Sequence, residues 1–173
     1  MQFYNINKIT MKTKDNWMFG GSFSISHSKV TFQNDANLST QIITNPKVGY
    51  FLANNLAIGI VSKFGWQHEK SAFSSTRYTN FGIGPFCRYY FLPLENRTNL
   101  LIEGSSTYNI YKYSLSTTAS KYLDYSLLAG PVVFLNSSVG LEILVGYNSI
   151  KEVDSKRGRI SFNIGIQYHF DKN

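Results

Sequence analysis

Hydrophobic and polar residues alternate with a period of two along nearly the whole chain, and no sustained i, i+3, i+4, i+7 stripe interrupts them. That period predicts strands, because successive side chains of a strand leave opposite faces. Eight strands are predicted at Trp17–Ser28, Gln41–Leu52, Leu56–Gln67, Tyr78–Phe91, Leu100–Tyr113, Tyr122–Leu135, Val139–Ile150 and Arg159–Phe170. The connections alternate in kind. Ala53–Asn55 and Asn136–Ser138 are short, and Leu92–Asn99 is a turn cluster holding Pro93, Glu95 and Asn96. Lys29–Thr40, His68–Arg77, Ser114–Lys121 and Lys151–Gly158 are longer or more charged. Short turns at one end and long loops at the other predict an all-β, eight-stranded antiparallel up-and-down transmembrane barrel. Phe51, Phe91, Phe134 and Phe170 close alternate segments, which suggests a repeated hairpin of roughly 40 residues.

The two faces differ sharply. In the seventh segment Val139, Leu141, Ile143, Val145 and Tyr147 oppose Gly140, Glu142, Leu144, Gly146 and Asn148. Lys47, Lys63, Arg88, Glu103, Asp124 and Glu142 lie well inside strands, and all six fall on the polar, small-residue face. A lipid-facing surface would forbid charge on the other face. Three are basic and three acidic, too balanced and too few for a water-facing exterior. The expected arrangement is therefore apolar outside and polar inside, with the six charges ion-paired in the lumen. Lys47, Arg88, Glu103 and Glu142 count to a similar depth from the short turns, and Asp124 lies nearer the loops. Eight strands give an interior that side chains fill. Tyr50, Tyr89, Phe91, Tyr168 and Phe170 are expected as an aromatic belt at the turn end, with Trp66, Tyr78, Tyr108, Tyr111 and Tyr147 as a second near the loops. Pro46, Pro85 and Pro131 oppose this reading, since proline cannot donate to a ladder. They require local bulges or a missing bond met by a side chain or water.

Composition narrows the class. The chain has 173 residues, which suits one domain. We divide it into a tail at 1–16, the barrel at 17–170 and a C-terminal tail at 171–173. Its longest apolar run, Leu127–Leu135, is nine residues, against the roughly 18 that a spanning helix needs. One cysteine, Cys87, excludes an internal disulfide and a cysteine-based zinc site. Met1–Asp15 contains Lys8, Lys12 and Lys14 and no apolar stretch of signal length. Either the chain is intracellular or the sequence lacks its export segment.

The net charge is +7. The loop end holds most of it, in Lys29, Lys70, Arg77, Lys112, Lys121, Lys151, Lys156, Arg157 and Arg159 against Asp35, Glu69, Glu152 and Asp154. A basic collar there would face anionic lipid headgroups or phosphorylated glycolipid. The bases form no stripe, so nucleic acid is not expected. His27 (beside Ser26 and Ser28) and His68 (beside Glu69) lie towards the loops and His169 at the turn end, with no evident nucleophile partner. No catalytic residue, metal site or cofactor is expected.

GIGPFCRYYF at Gly82–Phe91 and WMFGGSFSIS at Trp17–Ser26 resemble strands of the outer-membrane β-barrel domain family common in Bacteroidota. Phe162, Ile164, Ile166, Tyr168 and Phe170 resemble the C-terminal assembly signal of outer-membrane proteins, although Asp171–Asn173 extend past the usual terminal phenylalanine. The resemblance covers about Trp17–Phe170 and extends to OmpA/OmpX-type eight-stranded barrels. It implies a monomer in the outer membrane, in contact with outer-membrane lipid or lipopolysaccharide and with the barrel assembly machinery. It also implies a non-enzymatic role in envelope integrity or surface contact. Two other readings are a soluble lipocalin-like barrel and an outer-membrane lipid-modifying enzyme.

Overall fold

The alternating segments form eight strands: β1 (Trp17–Phe32), β2 (Asp35–Ala53), β3 (Leu56–Lys70), β4 (Ser75–Tyr90), β5 (Thr98–Tyr113), β6 (Ser120–Phe134), β7 (Val139–Lys151) and β8 (Lys156–Phe170). The computed structural model describes residues 13–32, 35–71, 75–93, 96–114, 119–151 and 156–170. Met1–Lys12, most of the predicted tail, and Asp171–Asn173 lie outside them. Each strand pairs antiparallel with its sequence neighbours, and β1 pairs with β8 to close the barrel.

The strands run further toward the loops than the hydrophobic pattern indicates. β2 begins at Asp35 rather than Gln41, and β1 extends to Phe32 rather than Ser28. Ladder bonds are made by the backbone, so a hairpin continues where the side chains no longer alternate. At the turn end local chemistry sets the corners. Asn55 adopts a φ of 68°, which asparagine tolerates. Asn136 Oδ1 accepts from the backbone N–H of Ser138 and Val139, both at 2.8 Å, and so forms an Asx turn.

The prolines do not produce bulges. Pairing of β4 with β5 steps from Ile83↔Tyr108 to Phe86↔Ser105 across Pro85, and the register is unchanged. The same holds from Ala129↔Val145 to Val132↔Glu142 across Pro131, and from Thr44↔Phe64 to Lys47↔Val61 across Pro46. Each proline thus interrupts the ladder without inserting a residue. The register shift between Phe51 and Ala53 lies instead beside a turn. Glycine precedes two of these prolines for a steric reason. A Cβ on Gly84 would collide with the Ser106 carbonyl oxygen, and one on Gly130 with that of Ile143.

The apolar side chains face outward on every strand, as Phe23, Val48, Ile60, Ile83, Tyr108, Leu127, Val145 and Ile164 illustrate. The interior has two zones. At the turn end Met18, Phe51, Ala57, Val61, Phe86, Tyr90, Leu101, Val132, Phe134 and Leu144 form a buried apolar cluster. Arg88, Gln167 and His169 are buried at the same depth, and further polar and charged side chains occupy the lumen nearer the loops. Residues 13–16 fold onto the same end, where the Asp15 N–H donates to the Phe51 carbonyl and the Tyr50 hydroxyl donates to Asp15.

Gly84→Ala and Gly130→Ala should each destabilise the barrel by about 1–3 kcal/mol, because backbone must move to admit the methyl group. Gly104→Ala, where a Cβ meets nothing within 4 Å, should change stability by less than about 0.5 kcal/mol. Urea titration in detergent, read by tryptophan fluorescence, measures both.

Candidate functional site

The side chains that could do chemistry converge inside the barrel. Arg88 on β4 is fully buried and sits between two carboxylates. Its Nε donates to Glu103 Oε2 on β5 at 2.7 Å, and its Nη1 donates to Glu142 Oε2 on β7 at 2.7 Å. Nη1 also donates to Gln167 Oε1 on β8 at 2.7 Å, and that oxygen accepts from the Tyr90 hydroxyl at 2.6 Å. On the far side of Glu103, Lys47 Nζ on β2 donates to both carboxylate oxygens, at 2.6 and 2.9 Å. Two cations and two anions from four strands, joined by Gln167 from a fifth, therefore form one neutral network. Nearer the loops, Lys63 Nζ on β3 donates to Asp124 Oδ2 on β6 at 2.9 Å. This second pair is also neutral, and Lys63 is the more accessible of the two. Alternation put all six residues on one face; the curvature of the closed sheet brings them within bonding distance across the lumen.

Above the network lies a cavity of about 320 Å³. Lys47, Glu103, Val61 and Leu128 form its floor, and Lys63 and Asp124 its wall. Its remaining lining is rich in hydrogen-bonding groups, among them Ser22, Asn45, Gln67, Ser105, Asn148 and Asn163. Asp124 Oδ1 is buried there without a hydrogen-bond partner. The chemistry on offer is hydrogen bonding to a small polar group. Among the described residues no set of three histidine, cysteine or acidic side chains could hold a metal ion.

Several expectations need correction. Tyr78 and Tyr111 belong to no outer belt: they share the inward face with Asn80 and Asn109, line the cavity and stack at 5.6 Å. Tyr89, Phe91, Tyr168 and Phe170 at one end, with Trp66, Tyr108 and Tyr147 at the other, do face outward. The four closing phenylalanines are not equivalent, since Phe51 and Phe134 are buried inside while Phe91 and Phe170 are exposed outside. The inward face is not uniformly small and polar, as the apolar cluster at the turn end shows.

His27 and His68 point outward and bond the hydroxyls of Thr40 at 2.8 Å and Ser75 at 3.0 Å. Glu69 lies on the opposite face from His68 and accepts from Gln67 and Tyr78. His169 is buried against Phe51 and Phe134. Phe162, Ile164, Ile166, Tyr168 and Phe170 form an exposed apolar row along β8.

A closed eight-stranded antiparallel sheet with an apolar exterior and a charged interior has the fold of the small outer-membrane β-barrel proteins. The chain is similar in structure to Neisserial surface protein A (NspA), with a TM-score of 0.56 and 16% identity over 90% of this chain and 97% of that one. It is also similar to the outer membrane protein OprG from Pseudomonas aeruginosa, with a TM-score of 0.53 and 11% identity over 92% and 98% of the two chains. No family model matches the chain, and no curated protein matches it.

Glu103→Gln should destabilise the barrel by about 3–5 kcal/mol, because it leaves Lys47 and part of Arg88 buried without an opposing charge. Lys63→Gln should cost less, since its partner lies beside the water-accessible cavity. Equal urea midpoints for Glu103→Gln and the wild type would remove the network from any part in stability.

Proposed function

We propose that this chain is an integral outer-membrane barrel with a plugged lumen, which acts in envelope integrity or surface contact and is not an enzyme. The observation that carries the reading is its sidedness: exposed apolar side chains on the outer face and charges held in neutral pairs within. A soluble lipocalin-like barrel needs the reverse, an apolar cavity and a charged exterior. The apolar cluster and the Arg88 network fill the turn half of the lumen, which argues for a blind vestibule and against a pore. The strand motifs at Gly82–Phe91 and Trp17–Ser26 favour the Bacteroidota-type, OmpX-like branch of such barrels.

The loop end favours contact with anionic lipid, lipopolysaccharide included. Lys70, Arg77, Lys112, Lys121, Lys151 and Lys156 are all exposed and alternate onto the outer face. Lys151 lies directly opposite Lys156, a like-charged pair that an anion would relieve. Arg157 and Arg159 alternate inward, and the side chain of Lys29 lies outside the described residues. The row at Phe162–Phe170 fits recognition by the barrel assembly machinery during insertion.

The test is gel mobility of the detergent-refolded chain, heated against unheated. The expected result is a heat-dependent shift in SDS, together with no discrete conductance in planar bilayers. A chain that stays soluble without detergent and shows no shift contradicts the membrane reading; stable single-channel openings contradict the plug.

A further inference from the structure

The wall of the barrel is not continuous around its circumference. β1 and β8 pair only from Trp17↔Phe170 to Ser22↔Gly165. Beyond that point β1 stays paired with β2 as far as Phe32↔Asp35, and β8 with β7 as far as Lys151↔Lys156. The two strands part from each other while each keeps its other neighbour. The opening starts at Phe23 and Ile164 and runs toward the loops.

Its surroundings are unusual in three ways. Phe23, Ile25, Ile160 and Phe162 flank it on the outer face at 60%, 64%, 78% and 62% exposure, the highest values among the described large hydrophobic residues. The opening is therefore at the depth of lipid chains. Ile160 and Phe162 face outward by alternation, yet they line the polar vestibule together with Ser22 and Ser24. The cavity thus reaches the outer surface here. Finally, unpaired strand edges are not tolerated against hydrocarbon unless they line a watered or occupied cavity. This one does.

We propose that the gap between β1 and β8 is a lateral portal, through which a single-chain amphiphile passes between the bilayer and the vestibule. Its chain lies among the four flanking apolar residues. Its head enters the lumen and is uncharged and hydroxyl-bearing. The lining supplies Ser, Asn, Gln and Tyr groups, and the cations Lys47 and Lys63 beside the vestibule floor are already matched by Glu103 and Asp124, while Arg159, the other cation of the lining, is exposed toward the loops. Asp124 Oδ1, buried in that cavity without a partner, accepts from a head hydroxyl. The proposal rests on the membrane reading above.

Continuing the register past Ser22↔Gly165 sets Ser24 opposite Asn163, and both alternate inward. Ser24→Cys with Asn163→Cys, in a Cys87→Ser background, staples the gap when oxidised. The probe is a radiolabelled monoacylglycerol, and the readout is its retention by the detergent-purified barrel. The reduced protein should retain about one molecule per chain, with the oxidised form binding at least about tenfold more weakly. Ser24→Trp, which fills the gap without a cross-link, should weaken binding similarly.

Equal retention by stapled and open forms would mean entry through the loop-end mouth and would overturn the portal. So would no retention by the reduced form. The heat-dependent gel shift is run on every preparation. A shifted preparation that retains no lipid overturns the portal alone, whereas an unshifted one overturns the membrane reading and the portal with it.

Discussion

A guanidinium held entirely inside the barrel is the constraint on which the rest of the structure depends. Arg88 has no access to water, so its charge must be met by the protein. Glu103 and Glu142 meet it from two other strands, and Gln167 and Tyr90 take further donors or share the acceptor. Lys47 then balances the second carboxylate. These contacts form together only if the sheet is closed with its register intact. The network therefore rewards one closed arrangement over slipped ones, where a shift of one residue in a strand would turn that strand's charge outward.

Closure and sidedness are two views of the same condition. An apolar exterior is costly in water and favourable in lipid, while the Arg88 guanidinium is buried away from both. Within that frame the strands tolerate three prolines because the missing bonds leave the register unchanged. Gly84 and Gly130 allow the neighbouring carbonyl to approach. The turn half is filled by apolar and paired polar groups, and the loop half opens into a vestibule. The buried packing is concentrated in the first half and the open hydrogen-bonding surface in the second.

Much of this was legible from alternation. The strand set, the two faces and the shared face of the six charges follow from a period of two and the exclusion of charge from lipid. Which cation meets which anion was not legible, because contacts across a lumen depend on strand tilt and stagger. Alternation also fails where both faces are apolar, as at Phe51–Leu52 and Tyr89–Tyr90, and the buried cluster at the turn end was missed there. Tyr78 and Tyr111 were misassigned because a tyrosine ring suits either a membrane interface or a polar lumen. Their alternation with Asn80 and Asn109 carried the correct answer. The short seam between β1 and β8 has no counterpart in the local pattern, since pairing of the first strand with the last is a property of the whole sheet.

The central claim is that the apolar face meets lipid, and the two tryptophans test it most directly. Trp17 lies at the turn end and Trp66 in the loop half, and both face outward. The measurement is tryptophan fluorescence of the barrel reconstituted in phosphatidylcholine with brominated chains, compared with the unbrominated lipid. Strong quenching by the brominated chains is the predicted result. Equal fluorescence in the two lipids would mean that the apolar face is turned away from the bilayer, and would contradict the account.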